Sequence, residues 1–137
     1  MDEISVYVEV EINPTESEEK VKRAIENVFS NMQTQVKPSI RGALLTAEGK
    51  GVEALTKLYN LLRRERTRDA ARGVLFEGID GKTVNFCLNK QVAFAGHLSF
   101  SKEVAESPLG PIKVKIKCDN PRELVDWLAP KTASGEN

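Results

Sequence analysis

The sequence predicts a single α+β domain in which helices pack on one face of a mixed, mostly antiparallel sheet. Its 137 residues suit one domain of ordinary size. The proportions, 40% hydrophobic and 29% charged, are those of a globular chain. Strand-like and helix-like apolar patterns follow one another in the order β-α-β-α-α-β-β-β-α. That order has too many adjacent strands for a doubly wound parallel sheet and too many helices for a sandwich. The domain is expected to span residues 1–130, with residues 131–137 a flexible C-terminal tail.

Ile4, Val6, Val8, Val10 and Ile12 alternate with Ser5, Tyr7, Glu9 and Glu11, the period-two pattern of a strand with one buried face. Asn13-Pro14-Thr15 ends it. Thr15 and Glu18 then have capping-box spacing before Val21, Ala24, Ile25, Val28 and Phe29, so a helix is expected to about Ser30. After a polar stretch to Pro38, Ile40 to Thr46 reads as a short strand and Gly49-Lys50-Gly51 as a turn. Val52, Leu55, Leu58, Tyr59 and Leu62 form the stripe of a second helix. Helical propensity continues to Leu75, and two helices jointed near Glu65 to Thr67 are favoured over one long helix.

Gly78 to Gly81 reads as a turn before Thr83 to Leu88, and Asn89-Lys90-Gln91 as the tip of a hairpin returning through Val92 to Phe100. Gly96 marks a bulge or a close approach. Ser107-Pro108-Leu109-Gly110-Pro111 is a rigid turn, after which Ile112, Val114 and Ile116 alternate with Lys113, Lys115 and Lys117. Asn120 caps a final helix that has Pro121 at its first position and Leu124, Val125, Trp127 and Leu128 on its apolar face.

Several functional classes are excluded at this level. Apolar runs fall far short of the ~20 residues that cross a bilayer, and no signal peptide is recognisable, so a cytoplasmic location is expected. Cys87 and Cys118 lie within alternating apolar patterns, as buried reduced thiols do. His97 is the only histidine, which leaves no zinc spacing and almost no material for a nucleophile-histidine dyad. Gly81-Lys82-Thr83 lacks the first glycine of a P-loop and precedes a strand. Glu103 and Glu106 read as solvated. No catalytic motif, metal or cofactor is expected.

Twenty basic and twenty acidic residues cancel globally, so any attraction for polyanions must be local. Residues 62–72 hold five arginines against two acids. On a helix, Arg64, Arg68 and Arg72 share one stripe, a repulsive arrangement that invites phosphates. The alternative is a solvated network in which Glu65 pairs with Arg68, and Asp69 with Arg66 and Arg72. The row Lys113, Lys115, Lys117, extended by Lys102 or Lys90, reads as protection of a sheet edge or, less favoured, as an anion contact. Phe86, Phe94, Phe100 and Trp127 are assigned to the core, which leaves Tyr7 alone on a solvent-facing strand position and argues against a multi-aromatic stacking platform.

Leu61 to Arg72, Leu88-Asn89-Lys90-Gln91-Val92-Ala93, Glu106 to Ile112 and Asp126-Trp127-Leu128-Ala129-Pro130 together resemble an archaeal family of small proteins described as RNA-binding-like and as a predicted exosome-associated component. The similarity runs from the first strand to Pro130. It implies a fold related to ribosomal protein L5 and an archaeal origin. It also implies a functional link to a dephospho-CoA-kinase-like protein, to which relatives are fused in some archaea. Carried over by position, the partner-contacting residues are Arg63, Arg64, Arg68, Asp69 and Arg72, with Asn89, Lys90 and Gln91 offering amides and a cation to a phosphate or base edge.

The leading expectation is a non-enzymatic RNA-binding or ribonucleoprotein-associated domain that contacts phosphates through its basic helix. A protein-interaction module, homodimeric through a sheet edge or a helix face, is the competing class. An enzyme acting on a phosphorylated small molecule would need the arginines to meet Asp69 or Glu77 in a pocket.

Overall fold

The structure, a computed structural model, describes residues 3–40, 42–65, 68–101 and 110–131. Strand β1 (Ser5–Ile12) buries Val6, Val8, Val10 and Ile12 on one face, as the alternation requires. Helix α1 (Glu18–Val28) buries Val21, Ala24, Ile25 and Val28. Its cap is Ser17, whose hydroxyl accepts from the Lys20 N–H at 3.4 Å, two residues beyond the expected Thr15.

A hairpin follows, formed by β2 (Gln33–Ser39) and β3 (Gly42–Lys50). The polar stretch before Pro38 is therefore a strand and not only a connection. Only Val36 in it is half-buried, so no apolar period announces it, and its pairing with β3 supplies the order. Strand β3 runs past Thr46 to Lys50 because it pairs with β1 along its whole length. The turn waits until Gly51, whose φ of +83° favours glycine.

A 3-10 turn (Val52–Leu55) leads into α2 (Thr56–Arg64) and α3 (Arg68–Glu77), the two-helix arrangement that was favoured. Strands β4 (Ile79–Asp80) and β5 (Thr83–Asn89) come next. Here the expected hairpin fails. Residues Lys90–Phe94 form a short helix, α4, and only Phe100–Ser101, β6, pairs with β5. The Asn89 side chain accepts from the Val92 N–H at 3.0 Å and starts the helix. Asn27 of α1 donates to Ala93 O at 3.0 Å and Phe94 O at 3.1 Å and closes its other end. Phe94 is consequently exposed, under the Lys20 ammonium 5.8 Å from its ring centre, and is not a core residue. Gly96, at φ +86° and with open space around it, is a turn and neither a bulge nor a close approach.

Strand β7 (Pro111–Lys117) and helix α5 (Pro121–Leu128) complete the domain. Asn120 caps α5 as read, its side chain accepting from the Glu123 N–H at 3.1 Å. Cys87 and Cys118 are buried, and neither is in a disulfide. Lys102, Glu103, Glu106, the Ser107 to Leu109 part of the expected turn, Arg66 and the tail beyond Lys131 lie outside the described residues.

The strand order is β2-β3-β1-β7-β5-β4, with β6 on β5, and each of these pairings is antiparallel. The core lies between the helices and the face that presents Val6, Val8, Val10, Ile112, Val114, Ile116, Val84, Phe86 and Leu88. Among the described residues no helix covers the middle of the opposite face. The end of α3 passes close to the sheet where Gly78 O accepts from the Asn85 N–H at 2.8 Å and from its side-chain amide at 3.2 Å. A Cβ at Gly78 would overlap the Asn85 carbonyl oxygen. No described helix is long and apolar enough to cross a membrane.

Candidate nucleic-acid interface

Helix α5 ends with carbonyl groups that have no partners within the helix, and the arginine segment supplies the donors. The Arg63 guanidinium lies over the Tyr59 ring, 3.3 Å from its centre, and Tyr59 stacks on Trp127 at 4.7 Å. From there Arg63 donates to Tyr59 O at 3.1 Å, Leu128 O at 3.2 Å and Trp127 O at 3.2 Å. Burial pulls its pKa below the ordinary value, and the nearby Arg68 charge adds to that. Arg72 donates to Ala129 O at 3.1 Å, pairs with Asp126 at 2.7 Å and lies over Phe76. Two arginines thus hold the negative end of one helix.

The structure adds contacts that neither reading of the segment named. Arg63 and Arg72 make their contacts within the fold. Glu65 pairs with His97 at 3.0 Å and also accepts from the Leu98 N–H at 3.3 Å, while the acid beside Arg72 is Asp126. Burial would raise the Glu65 pKa, but these hydrogen bonds outweigh it and leave the carboxyl below its ordinary range. Arg68 is half-buried, and its Nε has no hydrogen-bond partner. Arg64 alone of the four is exposed, donating to Gly96 O at 2.6 Å. It lines a cavity of about 370 Å³ with Asn27, Lys57, Asn60, Leu61 and Gly96, and Lys57 there also donates to a carbonyl, Glu26 O at 2.6 Å.

The expected Asn89-Lys90-Gln91 contact is also dispersed. Asn89 caps α4. Lys90 is 4% exposed; it donates to Glu11 O at 2.8 Å and pairs with Glu16 at 3.0 Å. Burial would raise the Glu16 pKa, but hydrogen bonds from Asn13 and Lys90 outweigh it and hold the carboxyl below its usual value. Only Gln91 of the three is exposed. The polar trio that reads as a loop tip is a helix start with a buried cation.

The lysines of β7 have the opposite environment. Strand β7 pairs with β1 on one side and β5 on the other, so it is central, and edge protection does not explain its lysines. With Ile112, Val114 and Ile116 in the core, Lys113, Lys115 and Lys117 must emerge on the opposite face, about 6.6 Å apart along the strand. All three are exposed, and none of the ion pairs among the described residues engages them.

Register places Gln33, Glu48, Tyr7, Lys115 and Asn85 in one row across five strands. The next row holds Gln35, Thr46, Glu9, Lys113 and Cys87. The face is therefore acidic at Glu9 and Glu11 of β1, mixed along β3, where Glu48 and Lys50 both lie on it, and basic along β7. Tyr7 sits at the boundary, and burial, with the charges of Glu9 and Glu48, raises its pKa. A hollow of about 690 Å³ opens beside it, lined among others by Lys113, Lys115, Asn85 and, from α3, Val74 and Glu77. The alternation of lysines was legible in the sequence. Their central position was not, because strand order is a long-range property.

Comparison with known proteins agrees with this fold. A family model described as RNA binding matches residues 5–118. A UPF0201 protein of Sulfurisphaera tokodaii is 44% identical over 130 residues, covering 95% of this chain and 90% of the relative. A UPF0201 protein of Pyrobaculum neutrophilum is also 44% identical, covering 96% of this chain and 93% of that one. The crystal structure of the UPF0201 protein from Methanococcus jannaschii superposes with a TM-score of 0.82 at 33% identity, over 96% of each chain. Match length, identity and fold agree: the chain belongs to the archaeal UPF0201 family, whose family model carries the description RNA binding.

Proposed function

We propose that this protein binds single-stranded RNA across the sheet face opposite its core, with Lys113, Lys115 and Lys117 on phosphates and Tyr7 stacking on a base. The carrying observation is the unpaired lysine row on a central strand, a place where lysines have no edge to protect. Cations that alternate along an extended strand can track an extended phosphate backbone. One exposed aromatic beside them supplies a stacking surface for an unpaired base. The carboxylates of Glu9 and Glu11 on β1 repel phosphates and bias the strand toward the β7–β5 side. The description of the family model supports the ligand class. Arg63, Arg72, Asn89 and Lys90 serve the fold in this reading, and exposed Arg64 is at most an outlying contact.

The test is binding of an unstructured RNA at about 50 and 200 mM salt. Three phosphate contacts give a slope of log K against log salt near −2, from about −0.7 per contact on single strands. In Lys113→Ala/Lys115→Ala/Lys117→Ala the slope approaches zero and affinity falls at the lower salt, with the circular dichroism spectrum unchanged. Equal binding by that variant overturns the proposal.

A further inference from the structure

The hollow beside Tyr7 has more acceptors than its lysines alone would suggest. Glu77, the last residue of α3, is exposed at its wall. Glu9 lines it from β1. Asn85 lines it from β5 and has both amide hydrogens engaged, donating to Gly78 O at 3.2 Å and to the Thr83 hydroxyl oxygen at 3.1 Å. What Asn85 presents is its acceptor, Oδ1. Val74 contributes apolar wall. About 690 Å³ is within the range of small-ligand sites and accommodates a nucleobase.

Charge orients such a guest. A phosphate is drawn to Lys113 and Lys115 on β7 and repelled by Glu77 and Glu9, so the neutral base is the part that meets the carboxylates. Acceptors pair with N–H groups and repel carbonyl oxygens. An exocyclic amino group satisfies a carboxylate, as cytosine N4 does with glutamate, whereas uracil places a carbonyl oxygen at the same ring position. We infer that this hollow selects an amino-bearing base, cytosine over uracil, from the single strand bound on the sheet face. The inference rests on the proposed RNA-binding function and names the substrate that the same site prefers.

Cytosine and uracil have rings of equal size, so comparing them separates hydrogen bonding from stacking. The experiment titrates fluorescein-labelled oligocytidylate and oligouridylate of equal length into the full chain and into Glu77→Ala. Glu77 is exposed at a helix end, where alanine is compatible with the fold. The expected result is a preference for oligocytidylate of about tenfold in the unsubstituted protein, reduced to about twofold or less in Glu77→Ala. Equal affinity for the two oligomers overturns the inference and leaves RNA binding standing. A preference that survives Glu77→Ala also overturns it, because the selecting group is then elsewhere. Failure of both oligomers to bind overturns the RNA-binding proposal as well.

Discussion

The arginine-rich pair α2–α3 and the lysine strand β7 carry similar charge and use it in opposite ways. On the helices, density led inward. Arg63 and Arg72 reach the carbonyl groups at the end of α5, where a planar guanidinium with several donors satisfies more than one orphan acceptor. On β7, the strand period led outward. Each lysine follows a buried aliphatic residue and has nowhere to go but solvent. A cluster of arginines in a sequence therefore says little about a ligand until the helix ends nearby have been accounted for. An alternating lysine row says more, once its strand is known to be central.

Substitutions and a change of pH break or sharpen this comparison. The largest effect is expected at Lys90, the most deeply inward cation. Lys90→Ala removes the cation from the Glu16 carboxylate, leaving it the Asn13 hydrogen bonds, and costs about 3 kcal/mol in chemical denaturation. Lys90→Met with Glu16→Gln keeps an acceptor for Asn13 and recovers most of that loss. Arg63→Ala should cost about 2–3 kcal/mol, from three carbonyl groups and a ring face left uncovered, with RNA affinity little changed. A stable Arg63→Ala that loses RNA binding would reverse the assignment of the two regions.

Acid should act through Glu16. Its folded pKa lies below the unfolded value of 4.5, so its contribution to stability is complete above that value and is lost as pH falls through the folded pKa. Denaturation midpoints measured across that window should decline more steeply in the unsubstituted protein than in Glu16→Gln. The smallest effect belongs to exposed Arg64, where Arg64→Ala should change stability by about 0.5 kcal/mol or less. By the same measure Lys113→Ala/Lys115→Ala/Lys117→Ala should be near neutral for stability, which makes its RNA affinity a clean readout.

Much of the fold was legible because most of its elements announce themselves locally. The alternation in β1 and β7, the stripes of α1 and α2 and the Asn120-Pro121 start of α5 are short-range patterns. Strand β2 was missed because Gln33 to Ser39 has almost no apolar residue and is ordered by its partner. Helix α4 was misread because Val92 and Phe94 favour strands by composition, while Asn89 and Asn27 cap both ends of a helix there. Of the residues nominated for a partner, Arg64 and Gln91 are exposed, Arg68 is half-buried, and Arg63, Arg72, Asn89 and Lys90 are engaged within the fold.

By itself the sequence determined the α+β class, the outward direction of Lys113, Lys115, Lys117 and Tyr7, and the absence of any P-loop or histidine-based catalytic motif. These follow from residue type and period, which act over a few positions. Tertiary structure alone decided which cations are turned inward and that the lysine strand is central. Both depend on contacts between residues distant in the chain: 65 positions separate Arg63 from Leu128 and 74 separate Lys90 from Glu16. No local pattern encodes such a pairing, because it exists only after the elements that carry it have packed.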